Sequence, residues 1–374
     1  MSTTDPHARL KQLADLAKAG GVDVVLVAPG PDLRYLTGYD AKPLERLTCL
    51  VVPATGTPLL VVPTLERPAA EASPAGALTI VDFGETDDPY AGVAALLEDE
   101  HVRPDVVAVD NLMWAEKLLA FQRALPATTI RLAGDLIVEM RIRKSPDEVA
   151  ALRAAGAAID SVHARMGEWL RPGRTEAAVA ADIADAILAA GHVTVDFTIV
   201  GSGPNGASPH HDSSERVIEP GDPVVVDIGG TMPSGYCSDS TRTYVAGGGD
   251  GPPADFAAYY AVLQQAQDAA CAQARPGVTC ASVDEAARSI IRDAGFGEFF
   301  IHRTGHGIGL QGHEDPYIVV GNERLLEPGM AFSVEPGIYL PGHHGARIED
   351  ILVCTETGAE RLNNTSRDLS VLPV

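Results

Sequence analysis

Five residues in the second half of the chain carry side chains that suit a pair of divalent metal ions. The set consists of four carboxylates and one imidazole: Asp227, Asp239, His306, Glu335 and Glu349. Carboxylate oxygens and imidazole nitrogens are ligands for Mn²⁺, with Co²⁺ and Zn²⁺ as alternatives. Four acids gathered without cations would repel one another, and the pKa of some of them would rise. The donor set therefore predicts a two-metal site, provided that the fold brings the five residues together.

An internal duplication supplies a framework that could do so. The segments RPGRTEAAVAADIADAILAAG, from Arg171, and RPGVTCASVDEAARSIIRDAG, from Arg275, match at an offset of 104. Each copy has a threonine before an apolar helical stripe and a glycine after it, which is typical of a capped helix. Two copies are too few for a solenoid, so we predict one domain with pseudo-two-fold symmetry.

The acids occupy matching positions further along the two copies. EPGDPVVVDIGG, from Glu219, aligns with EPGMAFSVEPGI, from Glu327, and this places Asp227 opposite Glu335. Each of these two acids ends an apolar run that is typical of a buried strand. A second strand after each run carries another acid, Asp239 or Glu349. We therefore expect two facing hairpins, each of which directs a pair of carboxylates into a shared cleft.

Composition excludes several classes of partner and location. A chain of 374 residues is too long for one ordinary core and predicts two or three domains. Its net charge of −23 argues against nucleic-acid and anionic-membrane partners. No apolar run approaches the length of a membrane span, and residues 1–28 lack the pattern of a signal peptide. The five cysteines have no CxxC spacing and are expected to be reduced, which predicts a cytoplasmic location.

The first 140 residues alternate between strand and helix patterns. Apolar β-rich runs occur at VDVVLVAP, CLVVPA, PLLVVP, LTIVDFG and DVVAVD, and helical patterns cover residues 5–20, 90–101 and 114–125. This alternation predicts an α/β domain with a mixed sheet over residues 1–140. The polar and aromatic segment DLRYLTGYDA, from Asp32, is expected to be a surface turn with buried tyrosines or, alternatively, a lip over an active site.

A helix start marks the beginning of a second domain. Ser145 is followed by Pro146, Asp147 and Glu148. A serine cap, a proline at the first helical position and acids in the first turn are typical of a helix N-terminus. We therefore place the second domain at residues 143–374.

Four blocks in the second domain resemble the signatures of the creatinase, prolidase and methionine aminopeptidase family. They are, in order, DIGGTMPSGYCSDSTRT from Asp227, HRTGHGIGLQGHE from His302, SVEPGIY from Ser333 and ARIED from Ala346. The resemblance implies an α+β pita-bread domain, whose two pseudo-symmetric halves agree with the duplication. A weaker resemblance of residues 1–140 implies the N-terminal domain of the prolidase and aminopeptidase P branch.

The resemblance also implies roles for the four acids and the histidine of this set. The family's metal ligands fall one by one on Asp227, Asp239, His306, Glu335 and Glu349. The separation between Asp227 and Asp239 is one residue longer than is usual in the family, and Pro233 and Ser234 at the hairpin tip would accommodate the difference. Glu335 would in addition accept a proton and pass it to the leaving nitrogen.

Three further histidines match catalytic positions of the family. His210, His302 and His313 correspond to histidines that are not metal ligands but bind substrate and stabilise the tetrahedral intermediate. His313 is expected to face the oxyanion, and His210 and His302 the leaving side of the substrate.

One arginine and three other histidines are less completely assigned. Arg347 matches an arginine near the metals that could orient Glu349 or contact the substrate carboxylate. His211 neighbours a matched position, and its role stays open. His343 and His344, in the segment PGHHG, are expected at a solvent-facing hairpin tip without catalytic function.

The function implied by the resemblance is metal-dependent cleavage of the peptide bond before proline. The preferred interpretation is a manganese-dependent prolidase acting on Xaa-Pro dipeptides. Aminopeptidase P, which acts on longer peptides, is the alternative; a broad dipeptidase and a non-catalytic peptide-binding module are further ones. The five intact ligands argue against the binding module. The resemblance also implies a homodimer in which residues 34–39 of one subunit cover the partner's cleft.

Overall fold

The computed structural model describes residues 6–248 and 251–374, so Asp5 of the first predicted helix lies outside the described residues. The chain forms two compact units, Met1–Arg141 and Ile142–Val374. In the described part of the chain, none of the helices combines the length and the apolar character needed to span a membrane.

The first unit is built on a mixed β-sheet. Its elements are α1 (Pro6–Ala19), β1 (Val24–Val27), α2 (Pro31–Thr37), β2 (Cys49–Pro53), β3 (Leu59–Pro63), α3 (Arg67–Ala72), β4 (Thr79–Phe83), α4 (Pro89–Asp99), β5 (Val106–Val109), α5 (Ala115–Ala124), β6 (Thr129–Leu132) and α6 (Gly134–Arg141). The strand order is β4-β3-β2-β1-β5-β6. Because β1 is antiparallel to β2 and parallel to β5, the predicted mixed sheet is confirmed. Val93, Leu97 and Phe121 bury α4 and α5 against this sheet.

Two parts of the first unit differ from the sequence prediction. The segment predicted as a turn forms the short helix α2, which begins at Pro31, ends at Thr37 and is followed by Gly38 with a φ of 73°. Proline suits the first position of a helix and glycine the left-handed end, so this pair of signals defines a helix. The prediction of a turn is wrong, whereas the predicted burial of Tyr35 and Tyr39 is confirmed. Strand β6 escaped prediction because it lies at the sheet edge and is largely exposed.

The second unit contains three sheets among its described residues. Its elements are α7 (Pro146–His163), α8 (Met166–Trp169), α9 (Glu176–Ala189), β7 (Thr194–Ser202), β8 (Pro223–Thr231), β9 (Cys237–Val245), α10 (Ala254–Gln273), α11 (Cys280–Asp293), β10 (Gly305–Gly307), β11 (Glu314–Ile318), β12 (Ala331–Val334), β13 (Gly337–Leu340), β14 (His344–Arg347), β15 (Asp350–Cys354), β16 (Ala359–Arg361) and β17 (Ser370–Val371). The sheets have the orders β17-β9-β8-β7, β11-β10-β12-β15-β16 and β13-β14.

The predicted helix start is present in the second unit. The Ser145 hydroxyl accepts a hydrogen bond from the Glu148 amide, and the Glu148 carboxylate accepts one from the Ser145 amide. Helix α7 therefore begins in a complete capping box. Helices α7 and α9 then pack on the sheet that contains β7, β8 and β9 through Ile159, Ile183 and Val226.

The duplication predicted from the sequence is present as a repeated arrangement of helix and strand. Thr175 caps α9 and pairs with Val217, whereas Thr279 caps α11 and pairs with Leu325. The two αβ halves expected of a pita-bread domain are thereby confirmed. The second half departs from a simple hairpin, because β13 and β14 form a separate two-stranded ribbon between the paired strands β12 and β15.

Candidate metal centre

The first pair of acids lies on two neighbouring antiparallel strands. In the register of β8 and β9, Asp227 pairs with Thr241 and Gly229 pairs with Asp239. Because alternate residues of a strand share one face, Asp227 and Asp239 lie diagonally on the same side of the sheet. Gly229 has to lack a side chain, since a Cβ atom there would approach the Phe197 ring to 2.5 Å. The extra residue of this hairpin lies in its tip, outside the strands that position the acids.

The other three residues lie at the ends of strands in the second half. His306 is the central residue of β10, Glu335 directly follows β12, and Glu349 directly precedes β15. The Glu335 amide donates to the Thr304 carbonyl, and the Glu349 amide donates to the Thr241 carbonyl of β9 at 3.1 Å. The last bond connects the strands of the two halves at the point where all five side chains meet.

The structure brings all five predicted residues together. Their donor atoms form overlapping groups in which the atoms lie within 4.8 Å of one another: His306 with Glu335 and Glu349, and Asp227 with Asp239 and Glu349. His306 Nε2 is 3.2 Å from a Glu335 oxygen and 3.7 Å from an Asp239 oxygen. Four of the five are buried.

The electrostatics of this group fit a need for cations. Burial, together with the neighbouring carboxylates, raises the pKa of both Asp239 and Glu349. Glu349 Oε1 is buried and has no hydrogen-bond partner among the described residues. Burying carboxylates without compensation is costly, and hard divalent cations compensate oxygen donors of this kind. The donor set thus suits divalent metal ions, as the sequence predicts.

Glu335 differs electrostatically from the other buried acids. Burial alone would raise the pKa of Glu335, but the hydrogen bond and charge of His306 outweigh it, and its pKa is lowered. The Ser333 hydroxyl also donates to Glu335 Oε1 at 3.1 Å. Glu335 is therefore held in its ionised form, and its side chain is the most exposed of the five.

The three histidines predicted to act on substrate line the same cleft. His210, His302 and His313 surround a cavity of about 350 Å³ that has the four acids and the His306 imidazole at its base. Phe197 and Ile199 of β7 add an apolar wall. The His313 ring contacts the His306 ring in a tilted arrangement, with centroids 3.8 Å apart and an interplanar angle of 44°. Burial and the neighbouring His306 lower the pKa of His313 to about 4, so its imidazole is neutral at pH 7.

His313 also lies within reach of the metal group itself. One of its ring nitrogens lies within 4.8 Å of donor atoms of Asp239 and His306. This proximity means that His313 could also help to hold a metal ion.

A hydroxyl connects His302 to Arg347. His302 Nδ1 donates to the Arg303 carbonyl at 2.6 Å, which leaves Nε2 to accept from the Tyr339 hydroxyl at 2.9 Å. The Tyr339 oxygen in turn accepts from the Arg347 guanidinium at 2.7 Å. Sequence reasoning missed Tyr339, although it stands in the SVEPGIY block.

Arg347 supports Asp227 rather than Glu349. Its guanidinium donates to Asp227 Oδ2 at 2.5 Å and to the Thr241 hydroxyl at 3.1 Å, and its residue exposure is 2%. Thr241, also missed from the sequence, lies 2.9 Å from Asp227 Oδ1 and 2.7 Å from Glu349 Oε2. Strand alternation could have indicated it, since Thr241 follows Asp239 by two residues on β9.

The remaining histidines lie outside the cleft. His211 Nε2 contacts the buried Glu176 carboxylate at 2.8 Å. His344 is 7% exposed and contacts the Tyr259 hydroxyl at 2.9 Å, so the expectation that it faces solvent is wrong. The pairing of β13 with β14 extends to His344 and turns its ring onto α10, whereas His343 stays exposed at the tip.

Both units match known protein families. Residues 150–356 match the model of metallopeptidase family M24, and residues 9–143 match the creatinase/prolidase N-terminal domain. "Probable dipeptidase PepE" of Mycobacterium tuberculosis is 52% identical over 371 residues, which cover 98% of this chain and 97% of that protein. An Xaa-Pro dipeptidase of Lactobacillus delbrueckii is 38% identical over 98% of this chain and 99% of its own length.

A solved structure has the same fold. The crystal structure of dipeptidase PepE from Mycobacterium ulcerans superposes with a TM-score of 0.93 at 52% identity and covers both chains completely. The matched domains, the acids and imidazole gathered at one cleft, and the agreement over the whole length lead to one conclusion: this chain is a member of metallopeptidase family M24.

Proposed function

We propose that this peptidase hydrolyses Xaa-Pro dipeptides and that Mn²⁺ is its metal. The observation that carries the proposal is the cleft in which four acids and His306 form the base and three further histidines form the walls. The similarity to an Xaa-Pro dipeptidase over nearly the whole length of both chains supports the same substrate class.

The acids and His306 would hold two divalent ions, with Asp227, Asp239, Glu335 and Glu349 as the oxygen donors. Bound divalent ions supply Lewis-acid activation of a water molecule and of the scissile carbonyl. The Glu335 carboxylate, held in its ionised form beside His306, would accept a proton and deliver it to the leaving nitrogen. The neutral His313 would donate a hydrogen bond to the oxygen on which negative charge develops.

The size and charge of the cleft favour a dipeptide over a longer peptide. Its volume of about 350 Å³ lies at the lower end of ligand pockets, which span about 300–1,000 Å³. Of the two arginines that line it, Arg347 is buried against Asp227, whereas Arg303 is exposed. Arg303 would bind the free carboxylate of a dipeptide, while Arg347 would act by orienting Asp227.

A broad dipeptidase is the second candidate. The mycobacterial relative is described as a probable dipeptidase without reference to proline. A proline nitrogen in a peptide bond has no hydrogen to donate, so selection for proline has to come from the shape of the cleft. Phe197 and Ile199 provide an apolar surface of the kind that would accept the ring.

The test is hydrolysis of Ala-Pro, Ala-Pro-Pro and Ala-Ala by chelated protein with and without Mn²⁺. The proposal expects Mn²⁺-dependent cleavage of Ala-Pro alone and its loss in Asp239→Ala. Cleavage of the tripeptide would indicate aminopeptidase P, and turnover of Ala-Ala would indicate a broad dipeptidase. Failure to cleave any of them, with metal bound, would overturn the proposed function.

Two further features stay predictions. A homodimer is expected and can be tested by light scattering of the active protein; a fully active monomer would contradict it. The cytoplasmic location can be tested by fractionation of cells that express the full chain.

A further inference from the structure

We infer that Glu176 is a positioning residue that fixes His210 at the cleft by holding the segment of residues 202–214. This inference rests on the proposed function only in the role that His210 has there. Glu176 lies at the first position of α9, outside the metal group. Its side chain is 0% exposed.

The Glu176 carboxylate is surrounded by hydrogen-bond donors from both ends of this segment. Oε1 accepts from the Ser202 amide and hydroxyl, each at 2.7 Å. Oε2 accepts from the Ser214 hydroxyl at 2.7 Å and the Ser214 amide at 3.1 Å. The Asn205 side-chain amide lies 3.1 Å from both oxygens, and His211 contacts Oε2 at 2.8 Å. One buried carboxylate therefore anchors the start, the middle and the end of the segment.

His210 lies within the anchored segment and faces the opposite way from its neighbour. His210 lines the cleft, whereas His211 reaches the Glu176 carboxylate. His210 ends a turn directly before His211, so the contact of His211 with Glu176 restrains the backbone that carries His210. On the cleft side, the Pro209 carbonyl accepts a hydrogen bond from Arg347. The segment is thus held between Glu176 and the residue that supports Asp227.

The second copy of the repeat shows that the helix–strand junction does not require this carboxylate. Cys280 occupies the position equivalent to Glu176, is 0% exposed, and donates its amide to the Arg324 carbonyl. Glu176 donates its amide to the Arg216 carbonyl in the same way. Because a neutral side chain supports the same backbone contacts, the carboxylate at position 176 serves something that only the first copy has, and that copy carries the His210 segment.

The chemistry of the site is specific for a carboxylate. Burial opposes ionisation of Glu176, but hydrogen bonds from Ser202, Ser214 and His211 prevail and lower its pKa to about 2. A glutamine at this position would direct an NH₂ group toward donors and leave buried groups unpaired, which is costly. Glu176→Gln preserves size and shape, so it tests the charge and the acceptors rather than the packing.

The experiment compares Glu176→Gln, His210→Ala and the double variant with Ala-Pro as substrate. A displaced catalytic group can cost about a hundredfold in rate, so we expect Glu176→Gln to lower kcat/KM by about 10- to 100-fold. It should divide the loss between kcat and KM as His210→Ala does. In the His210→Ala background the second change should add less than about twofold, because both act through the same side chain.

Asp182→Asn provides the matched control. Asp182 lies on the same helix, but its carboxylate is half-exposed and pairs with Arg174. We expect Asp182→Asn to keep wild-type turnover and Glu176→Gln to keep wild-type metal content. Hydrogen exchange of residues 203–213 should accelerate in Glu176→Gln only.

The outcomes separate this inference from the proposed function. If the wild type and Asp182→Asn do not cleave Ala-Pro, the proposed function fails. Hydrogen exchange of residues 203–213 in Glu176→Gln then tests by itself whether Glu176 anchors the segment. If these two proteins cleave Ala-Pro but Glu176→Gln is fully active, the inference is overturned. It is also overturned if Glu176→Gln lowers kcat/KM as much in the His210→Ala background as in the wild type. Should Glu176→Gln fail to fold, Ser214→Ala removes one of the hydrogen-bond donors to Glu176. The same comparison of single and double variants with His210→Ala then tests the inference.

Discussion

At the scale of single residues, the two arginines that line the cleft differ in their environment. Arg347 is buried and hydrogen-bonded to Asp227, so its charge already has a partner. Arg303 is exposed, lines the cleft and lies over the Tyr317 ring at 4.5 Å from the centroid. A cation–π contact of this kind restricts a long side chain without neutralising it.

We predict that Arg303→Met raises KM for Ala-Pro by about 10- to 100-fold, because a hydrogen bond to a charged group contributes about 1.5–3 kcal/mol. The KM for Ala-prolinamide, which lacks the carboxylate, should change little. Arg292→Met, a change at an exposed arginine paired with Glu285, serves as the control. Steady-state kinetics with both substrates measures these KM values. An equal rise in KM for the two substrates would show that Arg303 does not bind the carboxylate.

At the scale of elements, β9 holds the two halves of the second unit together. Arg242 of β9 is 2% exposed and donates to the Glu349 carbonyl at 2.5 Å and to Asp350 at 2.6 Å. It also donates to the carbonyls of Thr365 and Ser366 in the C-terminal segment. One side chain therefore connects the strand of Asp239 to the residues that begin β15.

We predict that Arg242→Met lowers the free energy of unfolding by about 3–5 kcal/mol, because removing one partner leaves the buried Asp350 charge less compensated. Arg153→Met is the control, since the pair of Arg153 with Glu360 is about half-exposed. An exposed pair contributes less than about 1 kcal/mol. Urea unfolding measures both; similar losses would contradict the assignment of Arg242 as the connection.

His163 connects α7 to the same strand as a neutral side chain. Its Nε2 donates to the Ser240 carbonyl at 3.2 Å, and its Nδ1 lies 2.9 Å from the Tyr244 hydroxyl. Burial, with the Arg242 charge in addition, lowers the pKa of His163 to about 3. Between pH 6.5 and 3 the unfolded chain binds a proton here that the folded chain does not, so stability falls as the pH falls.

We predict that His163 alone costs about 1.4 kcal/mol of stability at about pH 5.5, one unit below its unfolded pKa. The measurement is the free energy of unfolding of wild type and His163→Gln from pH 7 to 5. Glutamine has an amide that can replace both hydrogen bonds and does not titrate. As the pH falls, the wild type should lose stability relative to His163→Gln, and a constant difference between the two proteins would refute the assignment.

At the scale of the whole molecule, metal binding and folding of the second unit should be coupled. All five predicted ligands belong to the unit Ile142–Val374. Burial and neighbouring carboxylates raise the pKa of Asp239 and Glu349, whereas His306 lowers the pKa of Glu335. A ligand that binds only the folded state stabilises it by mass action. Ions placed between these carboxylates would also remove their mutual repulsion.

We predict that Mn²⁺ at 100 times its Kd stabilises the chelated protein by about 2.7 kcal/mol. Calorimetry should show the shift in the unfolding of the second unit and none in that of the first. Asp239→Ala should abolish the shift, whereas Asp196→Ala, a change of an exposed aspartate on β7, should retain it. An unchanged transition in wild type would mean that the acids do not bind Mn²⁺ in the folded state.

The sequence by itself determined the composition of the site and its framework. The periodicity of residues 1–140 indicated a mixed α/β unit, and the repeated RPG-led helices indicated two related halves. The spacing of Asp227, Asp239, His306, Glu335 and Glu349 within strand patterns indicated one donor set. These features are local or repeated, so propensity and alignment are enough to find them.

Tertiary structure alone decided what supports that donor set. Thr241 meets Glu349 across 108 residues, and Arg347 meets Asp227 across 120. Glu176 meets Ser214 across 38 residues and His211 across 35, and the second contact supplies a partner for the histidine whose role the sequence left open. Each of these contacts depends on how packed strands bring distant side chains to one point. Periodicity carries no information on that, because it describes the face on which a residue lies and not the partner that the face meets.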